Sequence, residues 1–154
     1  MKRYITIMMG FVAAIGLADS VYLTLVHYQL LAHKATTLAC NLSSGSCVSV
    51  LQSPYASLFG VPNAELGIAY FSIVLGAVII RILTGRWLKP WIFLGLLTVG
   101  LAYSLFLLYD LFFVLGIPCP YCILAHTANG LMFVLYALTR PLELNFGFRL
   151  RSAS

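Results

Sequence analysis

Four cysteines, Cys40, Cys47, Cys119 and Cys122, are the residues of this 154-residue chain best suited to chemistry. Two of them form a C-x-x-C, Cys119-Pro120-Tyr121-Cys122, that opens a long apolar run. At a helix start, i, i+3 spacing puts both sulfurs on one face, near enough to close a disulfide. The helix dipole and unsatisfied N–H groups there lower a thiol's pKa, which makes Cys119 the expected exchange thiolate. Pro118 and Pro120 suit such a start, where a missing N–H is harmless. Cys122 falls one turn further in, where an apolar redox partner would meet it. Cys40 and Cys47 form a second pair within a polar stretch, and thiol–disulfide relays need two pairs within exchange distance. Two structural disulfides pinning a loop are the plainer reading, and a four-cysteine zinc site is a further one with awkward geometry. The same tetrapeptide occurs in glutaredoxins, whose soluble βαβ context is absent here.

The elements that carry these cysteines are set by composition. The chain is 62% hydrophobic and 8% charged, against about 45–50% and about 25% in soluble domains. That excludes a soluble enzyme, a disordered tail and a small secreted scaffold. Apolar spans run over about Tyr4–Ala32, Ala64–Leu83, Trp91–Leu115 and Cys119–Leu138, and each is near the roughly 20 residues that cross a bilayer. They lack the alternation of barrel strands, so helices must satisfy their backbones. The first span is twice the length of a signal-peptide core and reads as a retained helix. For the same reason the faint lipoprotein box Thr37-Leu38-Ala39-Cys40 carries little weight. Between the first two spans, residues 33–63 turn to Ser, Thr, Asn, Gly and Pro, with short helical pieces expected over Cys47–Leu51 and Tyr55–Phe59. The expected fold is all-α: one integral membrane domain over residues 1–154, a four-transmembrane-helix bundle with a Cys-bearing extracytoplasmic loop and a short capping helix.

Charge placement orients the bundle. Lys2, Arg3, Arg81, Arg86, Lys89, Arg140, Arg149 and Arg151 all fall on one side, and only Lys34, of the nine basic residues, falls on the other. The positive-inside rule makes the first side cytoplasmic, with both termini there. The net charge of +5 is therefore a topology signal and not a nucleic-acid footprint. All four cysteines share the opposite surface, which faces an oxidising compartment if the membrane is a bacterial plasma membrane.

Other polar residues in the spans carry weaker signals. Asp19 and Asp110 raise a functional question by their depth, against the plain alternative that they make helix–helix hydrogen bonds. Glu65 reads as a helix-start acid, His27 and His33 as interfacial residues, and Trp87 and Trp91 as interface anchors. His126 lies one turn below Cys122 on the same face, where it would donate to a quinone carbonyl, carry a proton or simply pack.

The pattern Cys40-Asn41, Cys47, Val50, Ser53, Tyr55, Gly60-Val61-Pro62-Asn63, Gly67, Tyr70 and Cys119-Pro120-Tyr121-Cys122 resembles bacterial homologues of the vitamin K epoxide reductase family. Tyr22-Leu23-Thr24 and His27 are similar too, so the resemblance covers about Gly10 to Leu138. It implies a bundle built around a quinone, ubiquinone or menaquinone, and roofed by the loop. It implies Cys119 and Cys122 as the pair beside the quinone and Cys40 and Cys47 as a shuttle pair. Ser53 matches a loop serine near the quinone, and Asn63 matches an asparagine that hydrogen-bonds a quinone carbonyl. His126 stands where animal members carry a tyrosine. Many bacterial members continue into a fused thioredoxin-like domain; here no such domain follows helix four, so a separate periplasmic thioredoxin-like protein is the expected redox partner, alongside the membrane quinone pool.

The implied reaction oxidises that partner through Cys40/Cys47, then Cys119/Cys122, then the quinone, and so supports disulfide bond formation. The disulfide-bond-formation B family also couples thiols to quinone, but there the C-x-x-C precedes the separated pair, the reverse of this order. A reading of another class is a non-enzymatic membrane assembly or transport protein stapled by structural disulfides.

Overall fold

The computed structural model describes the backbone of residues 2–32, 46–58, 60–87 and 89–151, and side chains over 3–32, 48–58, 60–87 and 89–139. Cys40 and His33 lie outside the described residues, and Cys47 is described by its backbone alone. Five helices follow in order: α1 (Lys2–Leu31), α2 (Ser46–Leu51), α3 (Asn63–Thr84), α4 (Pro90–Tyr109) and α5 (Pro120–Arg151). Between α2 and α3 come a 3-10 turn at Pro54–Ala56 and a two-stranded antiparallel ribbon, β1 (Ser57–Leu58) with β2 (Val61–Pro62). The expected helical piece over Tyr55–Phe59 is thus replaced by this turn and β1. Pro54 sets the turn and Gly60 closes the ribbon with φ 83°, a left-handed conformation that glycine adopts without strain.

Four segments are long and apolar enough to cross a membrane: Arg3–Leu31, Asn63–Thr84, Pro90–Val114 and Pro120–Thr139. Hydrocarbon offers no hydrogen bonds, so each span must close its own ladder, and the helix does so. Span boundaries match the apolar runs of the sequence to within a few residues. The protein is therefore an all-α, four-helix membrane protein.

Two features were not visible in those runs. Beyond Tyr109, α4 widens into a π-helical turn over Asp110–Val114, with the Leu115 N–H on the Asp110 carbonyl at 2.8 Å. The helix then ends before Gly116, whose φ of 64° lets the Ile117 N–H return to the Leu111 carbonyl at 3.3 Å. The bond is one residue longer than the 6→1 bond of an ordinary helix-ending turn, as the wider π turn before it requires.

Helix α1 packs between α3 and α5, and α4 packs on α5, while α3 and α4 barely touch. At one end Met9, Val78, Leu97, Met132 and Tyr136 are fully or almost fully buried in a single cluster. Trp87 stacks on Phe93 at 4.5 Å and meets Tyr136 edge-on at 5.2 Å. Trp87 is consequently a core residue and not an interface anchor, whereas Trp91 is 69% exposed as an anchor would be. Gly16 lets α1 approach α3 closely, since a Cβ there would fall 2.4 Å from the Phe71 ring; small residues serve this purpose between membrane helices. At the other end a smaller cluster joins Leu23 and Val26 of α1, Leu51 of α2, Leu111 of the π turn, and Cys119. The gap between α3 and α4 opens into that second end.

Candidate functional site

The gap is a cavity of about 410 Å³ bounded by every helix of the bundle. Leu23, Leu66, Phe71, Leu96, Leu107 and Leu111 give it apolar walls. Val99 lines it yet is 69% exposed, so the cavity opens through the side of the bundle within the span. Its size and apolar lining, with a few convergent polar groups, are those of a small-molecule site.

The C-x-x-C stands at its edge. Cys119 immediately precedes α5, and its carbonyl accepts the Ile123 N–H at 3.0 Å. Its sulfur accepts the Cys122 N–H at 3.4 Å. That is the cap position, where a side-chain acceptor satisfies an N–H of the first turn. A thiolate accepts such a bond better than a thiol, so the helix start favours the charged sulfur. The two sulfurs are 2.8 Å apart, and a small approach closes the roughly 2.05 Å bond of a disulfide. Their surroundings differ. Cys122 lines the cavity, while Cys119 is wholly buried within the Leu23–Leu51–Leu111 cluster. An incoming thiol therefore needs this cover to move. Part of the cover is α2, in which Cys47 lies four residues before Leu51.

The other residues singled out in the sequence also converge here. Ser53, Asn63 and His126 line the same cavity as Cys122. Ser53 Oγ donates to the Val50 carbonyl at 2.8 Å, which ties the turn to α2. Asn63, opening α3, donates from Nδ2 to the Tyr55 carbonyl at 2.7 Å and accepts the Tyr103 hydroxyl on Oδ1 at 2.8 Å. It thereby links the loop, α3 and α4, and one amide hydrogen remains for a ligand. His126 is partly buried. Glu65 lies in the first turn of α3 and accepts the Tyr28 hydroxyl from the end of α1. Tyr22 and Tyr121 pack at 5.0 Å beside the C-x-x-C and fix the start of α5 against α1.

The two acids separate. Both are buried at 6% exposure, and each has one carboxyl oxygen without a hydrogen-bond partner. Asp110 lines the cavity, and Asp19 does not. A third group joins Tyr70, which the family pattern includes, to Asn129 and Ser104, which sequence reasoning missed, by hydrogen bonds of 2.6 and 2.7 Å across three helices. Their signal was polarity inside apolar spans. Among the described residues, no cluster of three or more His, Cys, Asp and Glu side chains could hold a metal ion.

A dithiol at a helix start, one sulfur of which lines an apolar cavity within a bundle of membrane helices, is an arrangement suited to a membrane oxidoreductase. The family model of the vitamin K epoxide reductase family matches residues 7–137. The chain belongs to that family.

Proposed function

We propose that the protein oxidises a separate thioredoxin-like partner and passes the electrons to a membrane quinone, ubiquinone or menaquinone. The observation that carries this reading is Cys122, held 2.8 Å from Cys119 and lining an apolar cavity that opens sideways within the span. The donor set suits a quinone ring: apolar walls for the ring, and Asn63 and His126 to meet an oxygen. A bound quinone accepts two electrons and two protons.

The chain's own residues do the rest. A partner thiolate attacks the Cys40–Cys47 disulfide at Cys40, and Cys47 leaves as a thiolate. Cys47 attacks Cys119, breaking the Cys119–Cys122 bond and freeing the Cys122 sulfur at the cavity wall. Attack of the second partner thiol on the mixed disulfide at Cys40 releases oxidised partner, and Cys40 then resolves Cys47 from Cys119. One disulfide is made in the partner, and Cys119 and Cys122 hold the electron pair. When they close again, the pair and the two thiol protons go to the quinone, leaving quinol. Energetically the direction is downhill, because a dithiol of about −120 mV can still reduce a more oxidising acceptor. The thiol-accepting surface is extracytoplasmic by the distribution of Lys and Arg, as a bacterial plasma membrane and a periplasmic partner require.

Purified protein in lipid nanodiscs, given a reduced thioredoxin-like protein and a short-chain quinone, tests this. Quinol should form in step with partner disulfide. Partner oxidation that proceeds equally well without quinone would refute the coupling.

A further inference from the structure

A directional polar chain crosses the bundle in the cavity wall. The Tyr70 hydroxyl on α3 donates to Asn129 Oδ1 on α5 at 2.6 Å, and Asn129 Nδ2 donates to Ser104 Oγ on α4 at 2.7 Å. All three residues line the cavity, and Asn129 and Ser104 are only 3% and 6% exposed. Gly100 makes the reach possible. A Cβ at that position would lie 2.6 Å from the Tyr70 ring, so the ring fills the space that a side chain on α4 would take.

Counting hydrogens shows what the chain lacks. Its two bonds use the Tyr70 hydroxyl hydrogen and one of the two Asn129 amide hydrogens, which leaves the second amide hydrogen and that of Ser104. Ser104 accepts, and its own hydrogen has no acceptor among the described residues. Turning the Asn129 amide over would move the spare hydroxyl hydrogen from Ser104 to Tyr70 and leave the second amide hydrogen as it is. Hydroxyl groups in helices usually discard this hydrogen on the carbonyl one turn back. Thr24, Thr84 and Thr98 do so here, at 2.8, 2.8 and 2.9 Å. Ser104 does not, and a buried donor without an acceptor is costly in an apolar wall.

The cavity therefore has two polar poles. Asn63 and Tyr103 form one, next to the loop. Tyr70, Asn129 and Ser104 form the other. Asn63 and Tyr70 are seven residues apart on α3, roughly 10 Å along the axis. On α5, Cys122, His126 and Asn129 follow i, i+4, i+7 spacing on one face, which sets the second pole deeper than the sulfur. A para-quinone carries its two acceptor oxygens on opposite edges of one ring. Resting on the quinone reading above, we propose that Ser104, positioned by Asn129 and Tyr70, hydrogen-bonds the distal carbonyl, so that the ring is held at both edges.

The test uses the full chain in nanodiscs with 2-methyl-1,4-naphthoquinone carrying carbon-13 at one carbonyl or the other, read by infrared difference spectroscopy. In the wild type both carbonyl bands should fall below the free-quinone frequency. In Ser104→Ala, and in Ser104→Ala combined with Asn129→Leu, one band should return to the free position while the other stays shifted. KM for the quinone should rise roughly five- to tenfold, the worth of one hydrogen bond. Two shifted bands and a wild-type KM in whichever of these variants folds would overturn the clasp while leaving the quinone reading intact. A wild type that reduces no quinone would remove that reading itself, and the clasp with it.

Discussion

The two ends of this bundle solve opposite problems. Around Met9, Val78, Leu97, Met132 and Tyr136 the four spans fill their shared interior, and even Trp87 is drawn inside. Around Cys119 the spans part, α3 from α4, and the interior is a cavity edged by polar groups. One end supplies rigidity, and the other keeps an apolar space beside a reactive pair. The difference shows where a membrane protein can leave polar hydrogen-bonding groups in its spans: at the end whose partners can satisfy them. If the ends divide the work in this way, substitutions in one should change chemistry and in the other stability.

The largest effect is expected at the cavity end. Cys122→Ser should lower quinone reduction at least about a thousandfold, since a relay without one of its sulfurs has no substitute. Its thermal midpoint should stay within a few degrees of the wild type. A large loss of stability instead would give the pair a structural role. At the packed end, Met132→Ala empties a wholly buried site and should cost about 2–5 kcal/mol. The folded fraction, followed by thermal unfolding in detergent, should keep its KM for quinone. Gly16→Ala comes next, at about 1–3 kcal/mol, because its new methyl meets the Phe71 ring and α1 must shift away from α3. Smallest is Tyr103→Phe, which removes the hydroxyl that Asn63 accepts. A two- to fivefold rise in KM with little change in kcat is expected from one lost neutral hydrogen bond. A KM change at Gly16 as large as that at Tyr103 would blur the division between the ends.

Much of this arrangement was legible in the residues. Continuous apolar runs admit only helices in lipid, so the four spans could be read almost to the residue. The C-x-x-C at the start of α5 followed from its prolines and spacing. Ser53 and Asn63 were picked out by resemblance and His126 by its spacing one turn from Cys122, and the fold brings all three to one cavity with Cys122. What escaped depends on packing or on local geometry. The π turn at Asp110–Val114 has the composition of any apolar helix, and one extra residue per turn leaves no mark in hydropathy. The ribbon of β1 and β2 is two residues long in each strand, too short for alternation to show. Cys119 is more deeply buried than an exchange thiol should be, because it sits in a cluster assembled from α1, α2 and the π turn. Tyr70, Ser104 and Asn129 are up to 59 positions apart, and only the crossing of α3, α4 and α5 joins them.

The account stands on electron transfer from Cys119 and Cys122 to a quinone in the cavity. Protein reduced anaerobically, freed of excess reductant and mixed with a stoichiometric short-chain quinone, tests it in one turnover. Quinol formed is read by absorbance, and the cysteines are mapped by mass spectrometry after alkylation. The prediction is one quinol for each Cys119–Cys122 disulfide formed in the Cys40→Ala, Cys47→Ala variant, and one for each disulfide of either pair in the wild type. Quinone that stays oxidised, or quinol formed by that variant while Cys119 and Cys122 remain fully alkylated, would contradict it.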